Sequence, residues 1–364
     1  MKAAVCREAR QIAIEELDEP SPRDGELGLR MVATGVCRTD LSIFQGHLPV
    51  PFPIVLGHEG VGIVESVGPG VSGFEPGDHV VGSIIAGCGD CFQCRRHDAA
   101  LCENVTFYTG KMLDDTTRLS RGDEAIHSLS FQASFAEKAI VPARAAVRVR
   151  KDAPLHLLAG LACGVSTGLG AAMVRSPVSP GDQVVVIGSG GVGLSALMGA
   201  RLRGAARLIA VDIIPAKLER ARELGLATDT IDATHEDVVE AVRALTGGRG
   251  ADRAYDAVGS ENTLEQAVEA IRPGGHVVVI GIAAAEVAPT IPTAALLRQK
   301  TVTGTMGGSI EPRRHIPEFV DLYLASRLDL AALMDRTYRL DDIATALDDL
   351  EQGRITRGLI RFDD

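Results

Sequence analysis

From residue 183 onward the chain alternates short apolar runs with amphipathic stretches. The runs are QVVVIG, LIAVD, DTID, RAYDAVG, HVVVIG and TVTGTM. Between them lie GLSALMGARLRG, AKLERARELG, HEDVVEAVRALTGG and ENTLEQAVEAIRPGG. Strands that are apolar on both faces need cover on both faces, and intervening helices make successive strands run parallel. Six such strands in two halves predict a doubly wound α/β unit over residues 165–307. Residues 1–164 read differently. There IVLGHEGVGIVESVG, GDHVVGSI and SFAEKAIVP are short apolar runs broken by Gly, Asp or Pro, the pattern of a β-rich domain. The tail, residues 308–364, carries two helical stretches and a closing RGLIRF strand, too little for a domain, so it is expected to pack on the first one. Between the two domains LHLLAGLACGVSTGLGAAM reads as a helix interrupted at glycine.

Charge and composition exclude several roles. The net charge of −11, with no basic block, argues against nucleic acid. The N-terminal MKAAVCREARQIAIEELDEP lacks the apolar core of a signal peptide. The most hydrophobic window, HVVVIGIAAA, falls short of the roughly 18–20 residues of a membrane span. A cytosolic location follows as the expectation, and cytosolic thiols stay reduced, which turns the reading of the cysteines toward metal or catalysis.

Four of the seven cysteines fall in CGDCFQCRRHDAALC, at Cys88, Cys91, Cys94 and Cys102. Two-residue gaps let neighbouring thiolates face one centre, and the longer gap closes a loop around it. Four thiolates suit a tetrahedral zinc with no open position, a structural ion. The bland alternative is a group of free thiols or redox pairs. The chemistry must then lie elsewhere.

VVVIGSGGVG ends one predicted strand and opens a helix. Gly188, Gly190 and Gly193 fit the dinucleotide pattern: the first for the turn, the second for approach to a pyrophosphate, the third for packing helix on strand. Gly191 lies within the same turn, whose helix N-terminus offers N–H groups and positive potential to phosphates. Asp212 ends LIAVD nineteen residues past Gly193, where a carboxylate binds ribose hydroxyls and repels a 2′-phosphate; NAD is preferred over NADP.

Of the remaining cysteines, Cys37 sits in GVCRTD and Cys163 in LACGVSTG, while His58 stands in GHEG. Together they can offer zinc two thiolates and an imidazole, with a fourth position open. Spacing alone does not show that residues 37 and 163 meet. Cys6 reads as a small buried apolar residue.

GVCRTD, GHEGVGIVESVG, GDHV, the four-cysteine loop, CGVSTG, GSGGVG and GTMGG follow one another nearly end to end. In this the chain resembles the zinc-dependent medium-chain alcohol dehydrogenases. GKMLDDTTRLS and the intact loop are similar to the liver-type and class III branch, with its bacterial aryl and allylic alcohol dehydrogenases. The resemblance implies a GroES-like catalytic domain (1–164 and 308–364), a Rossmann NAD domain (165–307), an active site in the cleft between them, and a homodimer or homotetramer. It assigns Cys37, His58 and Cys163 to a catalytic zinc, Asp40 to orienting His58, Glu59 to assisting ligand exchange, and Thr39 to bonding the substrate oxygen. It places Arg38 and Arg357 at the coenzyme pyrophosphate, Lys217 near the adenosine ribose, and Thr167, Val192, Ile280 and Ile282 along the nicotinamide. Ile84, Phe107 and Leu129, with Ile282, fall at substrate-pocket positions. Where some relatives end the proton relay with His, this chain has Ser42, so water or His47 would end it.

The chemistry explains the metal. Ionising an alcohol at neutral pH costs roughly nine pKa units, about 12 kcal/mol, which a general base worth about 10²–10⁴-fold does not supply. The apolar pocket favours a hydrophobic primary alcohol, aryl or allylic, oxidised reversibly with NAD. The alternatives are a thiol-adduct (S-hydroxymethyl) formaldehyde dehydrogenase, a non-catalytic NAD- and zinc-binding scaffold with one zinc, and a zinc-free quinone reductase relative, which would lack both cysteine sets.

Overall fold

The computed structural model describes residues 1–105, 107–282 and 287–362. The chain divides into two compact units, Met1–Cys163 with Glu311–Asp364, and Gly164–Ile310.

The first unit is built on Glu26–Val36, a long strand buried along nearly its whole length. Glu59–Val67 pairs along one side of it. The other side is shared by Lys138–Pro142 near its start and Gly358–Arg361 near its end. His79–Gly82 and Ala146–Val149 extend the sheet beyond Glu59–Val67, and Arg336–Arg339 extends it beyond Gly358–Arg361. A second sheet runs in the order Gln11–Glu16, Lys2–Glu8, Ile54–Val55, Glu124–Ser128, Leu119–Arg121. Its core holds Val5, Leu41, Ile54, Leu56, Ile126 and Phe135, all fully buried. The tail supplies Gly358–Arg361 and the helices Pro312–Leu324 and Ile343–Glu351, so it completes the first sheet.

The second unit holds one parallel sheet. Its order is Asp229–Asp232, Arg207–Asp212, Gln183–Ile187, Ala251–Asp256, Ile271–Val279, Thr301–Gly304. This is the doubly wound order, in which the winding reverses beside the first strand. Val184, Val185 and Val186 are buried in succession, as a strand covered on both faces requires. The segment between the two units is broken at Cys163, not at a glycine. Tight turns over Leu155–Ala162 end there, Cys163 adopts φ −145° and ψ −86°, and a new helix runs over Gly164–Gly170.

One carboxylate fastens the tail. Asp349, buried, accepts from Tyr338 Oη at 2.6 Å, Arg354 Nε at 2.6 Å and Arg336 Nη1 at 2.9 Å. These bonds, the Tyr338 hydroxyl foremost, hold its carboxyl below the usual range. Asp349→Ala is expected to cost about 1–3 kcal/mol at neutral pH, because the buried Tyr338 hydroxyl loses its acceptor. A depressed folded pKa contributes stability in full above the unfolded value, about 3.9, and loses it as pH falls through the folded value. Urea midpoints of the two proteins should therefore converge in acid; a gap that widens below that value would refute the assignment.

Candidate metal and coenzyme sites

Cys37, His58 and Cys163 each place one donor atom within 4.8 Å of the other two. Cys37 ends the Glu26–Val36 strand and caps the short helix Arg38–Phe44. His58 precedes the strand Glu59–Val67, and Cys163 stands at the break just described. Asp40 ties two of the three segments together. Its Oδ2 accepts from the Cys37 N–H at 3.0 Å, and its Oδ1 from the Gly57 N–H at 3.0 Å and lies 3.1 Å from His58 Nδ1. That contact engages Nδ1 and leaves Nε2 for a metal.

The electrostatics suit a cation. The Cys163 thiol and the nearby imidazole hold Cys37 well below the usual thiol range. Burial alone would depress the His58 imidazole, but Asp40 and Cys37 outweigh it and raise its basicity. Two sulfurs and a nitrogen, from buried Cys37 and His58 and half-buried Cys163, match the tetrahedral donor set of zinc, with one position open. Zinc fits these residues.

Glu59 is fully buried beside this cluster, and burial pushes its carboxyl up despite Arg357. Gly35 faces it across the strand pair, where a methyl group would meet Glu59 Oε2 at 2.0 Å. Arg357 is only 2% exposed, and its guanidinium donates to Glu59. The pairing of Gly358–Arg361 with Glu26–Val36 carries Arg357, which the resemblance assigns to the coenzyme pyrophosphate, inward to this carboxylate. Arg38 is exposed at the first position of its helix, and Thr39 and Ser42 are half-buried on the same helix.

The other four cysteines also converge, each with its sulfur within 4.8 Å of the rest. Cys88 Sγ accepts from the N–H groups of Cys91 at 3.3 Å and Asp90 at 3.4 Å, which draw its pKa down to about 6. Cys91 Sγ accepts from Cys94 N at 3.4 Å, and Cys102 Sγ from Cys88 N at 3.3 Å. Such donors stabilise thiolates, so this loop fits a closed four-sulfur zinc.

In the second unit, Gly188 has φ +93°, and a methyl on Gly193 would meet Gly188 O at 1.8 Å. A methyl on Gly190 meets nothing within 4 Å, so the backbone there faces open space at the start of the helix Gly191–Leu202. Asp212 Oδ2 accepts from Ser189 N at 2.7 Å and Oδ1 from Ile214 N at 3.0 Å. The carboxylate is thus fixed beside the glycine turn, with lone pairs left for ribose hydroxyls. The cradle fits a dinucleotide. Val192 and Thr167 are half-buried, Lys217 is half-buried in the first turn of Pro215–Glu223, and Ile280 is buried. Ile282 is 60% exposed.

Among the pocket residues, Ile84 and Phe107 are half-buried, and the Phe107 ring centroid lies 6.3 Å from that of Phe131. Leu129, which the resemblance assigns to the substrate pocket, is fully buried in the core with Ile126 and Phe135. Sequence reasoning missed Tyr108, partly exposed beside Phe107, whose hydroxyl is raised by burial and feels the charges of His58, Cys163 and Cys37. It also missed Val258, 46% exposed, whose Cγ2 would lie 2.7 Å from a methyl on Gly188. The signal for each was adjacency, to Phe107 in one case and to the end of RAYDAVG in the other.

Residues 23–151 match the alcohol dehydrogenase GroES-like domain, and residues 191–325 match the zinc-binding dehydrogenase family. The chain is 38% identical over 365 residues to the NDMA-dependent alcohol dehydrogenase of Amycolatopsis methanolica, covering 99% of this chain and 98% of that one. It is 35% identical to the S-(hydroxymethyl)glutathione dehydrogenase of Synechocystis sp., covering 99% of each. The crystal structure of benzyl alcohol dehydrogenase from Acinetobacter calcoaceticus superposes with a TM-score of 0.93 at 35% identity, covering 100% of this chain and 99% of that one. The chain belongs to the zinc-binding medium-chain alcohol dehydrogenase family. It is an oxidoreductase of the zinc- and NAD-dependent kind, acting on small-molecule alcohols. No single described helix is long and apolar enough to cross a membrane.

Proposed function

We propose that the protein oxidises a hydrophobic primary alcohol, aryl or allylic, to its aldehyde, reversibly, with two zinc ions per chain. The observation that carries this reading is the convergence of Cys37, His58 and Cys163, a donor set with one position left for a substrate oxygen. When bound, zinc supplies the Lewis acidity that lowers a hydroxyl pKa, and NAD accepts the hydride.

The chain's own residues do the rest. Cys37, His58 and Cys163 hold the metal, and Asp40 orients the imidazole. The Thr39 hydroxyl accepts the substrate's hydroxyl proton while giving up its own toward solvent, so it relays the proton and does not keep it. Glu59 stands beside the cluster with its charge balanced by Arg357. Half-buried Ile84 and Phe107, with Tyr108, line the approach with apolar and aromatic surface. The likeness to a benzyl alcohol dehydrogenase supports an aromatic substrate. A second reading, a thiol-adduct formaldehyde dehydrogenase, is favoured by the S-(hydroxymethyl)glutathione relative. A panel of benzyl, cinnamyl and aliphatic alcohols, set against S-hydroxymethylglutathione with NAD, separates the two. Turnover of the thiol adduct alone would discard the first.

Ser42 makes the relay testable. The side chain lies half-buried on the Arg38–Phe44 helix, and its backbone carbonyl accepts from the N–H of exposed His47 at 2.9 Å. With no imidazole at position 42, proton release depends on solvent bases. Turnover near neutral pH is expected to rise with buffer concentration, and Ser42→His should flatten that rise. Rates independent of buffer from about pH 6 to 9 would remove the idea.

A further inference from the structure

The segment just before the bridge that joins Ala136 to Ala3 is strained. Ser130, Phe131 and Ala133 have φ of 48°, 49° and 53°, three non-glycine residues in the left-handed region within four positions. Each such residue is strained and persists only where its surroundings fix it. The residue between them, Gln132, is 2% exposed. Its Oε1 accepts from Gly60 N at 3.3 Å and its Nε2 donates to Gly82 O at 3.0 Å. The two partners fix the amide's orientation, since the reverse would set donor against donor and oxygen against oxygen. Neither partner has room for a side chain: a methyl group on Gly60 would meet Met31 Cε at 2.7 Å and Ser134 Cβ at 2.8 Å, and one on Gly82 would meet Gln132 Oε1 at 3.0 Å.

The next residues grip the same place. Ser134 N donates to Gly57 O at 3.0 Å, Phe135 N to Leu56 O at 3.1 Å, and the Ser134 hydroxyl lies 2.7 Å from that of Thr34. From the other side, Asp40 accepts from Gly57 N. His58 and Glu59 thus sit on four residues, 57–60, whose backbone is held at both ends. At the Gly60 end, Glu59 and Gly60 pair with Gly35 and Thr34 across one edge of the strand, and Gln132 takes the Gly60 N–H on the other.

We propose that Gln132 is a positioning residue for the catalytic metal: strain in 130–133 is the cost of delivering its amide to Gly60, which fixes the aim of His58 and Glu59. This rests on the reading of Cys37, His58 and Cys163 as metal ligands. Gln132→Met keeps the side chain's length and removes both bonds. We expect it to bind two metal ions per chain, to lower kcat about tenfold, and to leave KM within about twofold, as misaim without lost binding would do. The cobalt-substituted protein should show shifted visible bands from the catalytic site. Tyr255→Phe is the control: Tyr255 is buried in the second unit and donates to Ser176 O at 2.7 Å, so its loss lowers stability without touching residues 57–60. Its cobalt bands should match those of the unaltered protein. If Gln132→Met does not fold, Gln132→Leu, which also removes both bonds, takes the same measurements and should shift the bands in the same direction. Unchanged bands and kcat with two cobalt ions bound would overturn the role of Gln132 alone. A single cobalt per unaltered chain would overturn the metal reading as well.

Discussion

Cys37→Ala is expected to release one of two zinc ions and to lower kcat/KM for the best alcohol by about four orders of magnitude or more. Removing a Lewis acid forfeits several kcal/mol of charge stabilisation, and about 1.4 kcal/mol is a factor of ten. No neighbouring base makes up the difference, because acid–base help is worth at most about 10⁴-fold and Thr39 is a weak base. The fold should survive. Cys37 contributes its backbone N–H to Asp40, which alanine retains, and the core around Leu41 and Ile43 is untouched. Cys102→Ala should also leave one zinc, but the loss falls on the loop Cys88–Cys102 and shows as lowered thermal stability. The two variants, each with one zinc, should differ in activity. Equal activities, or full activity in Cys37→Ala, would sink the assignment of the two sites.

The second large effect is on coenzyme choice. Asp212→Asn should reduce the preference for NAD over NADP at least about tenfold, because the repelling charge is gone while an acceptor for one backbone donor remains. Asp212→Ala goes further. It strips acceptors from Ser189 N and Ile214 N together, each worth about 1–3 kcal/mol when left unpaired in a buried place. Its kcat/KM for NAD should fall roughly 10- to 100-fold, with the loosened glycine turn contributing beyond the lost ribose contact. Kinetics with both coenzymes read this directly. An unchanged NAD/NADP ratio in Asp212→Asn would show that another residue selects the coenzyme.

How far the sequence reached depends on how local each signal is. The six apolar runs and their intervening helices each declare themselves within a few residues, so the doubly wound sheet was legible. The four-cysteine loop closes within fifteen residues and was legible for the same reason. Cys37 and Cys163 are far apart in the chain, and only the resemblance suggested that they meet; no spacing rule encodes it. Arg357 shows the opposite case. Its direction is set by the register Gly358↔Val36 and Leu359↔Gly35, a pairing across more than three hundred residues, so its burial against Glu59 could not be read from RGLIRF. The full burial of Leu129 was not legible, because an apolar side chain looks the same whether it lines a pocket or fills a core. The break at Cys163 hid behind its glycine neighbours, which drew the eye as the natural interruption.

The late arrival of Gly358–Arg361 has a consequence for biosynthesis. As the chain leaves the ribosome, the Gly164–Ile310 unit is complete well before the strand that finishes the earlier-made unit has been translated. Until then Glu26–Val36 keeps a bare edge at Ala33–Val36, and Glu59 lacks the Arg357 guanidinium. A stop before Gly358 would therefore spoil the earlier-made unit and spare the later one, leaving a nucleotide-binding fragment tethered to an aggregation-prone sheet.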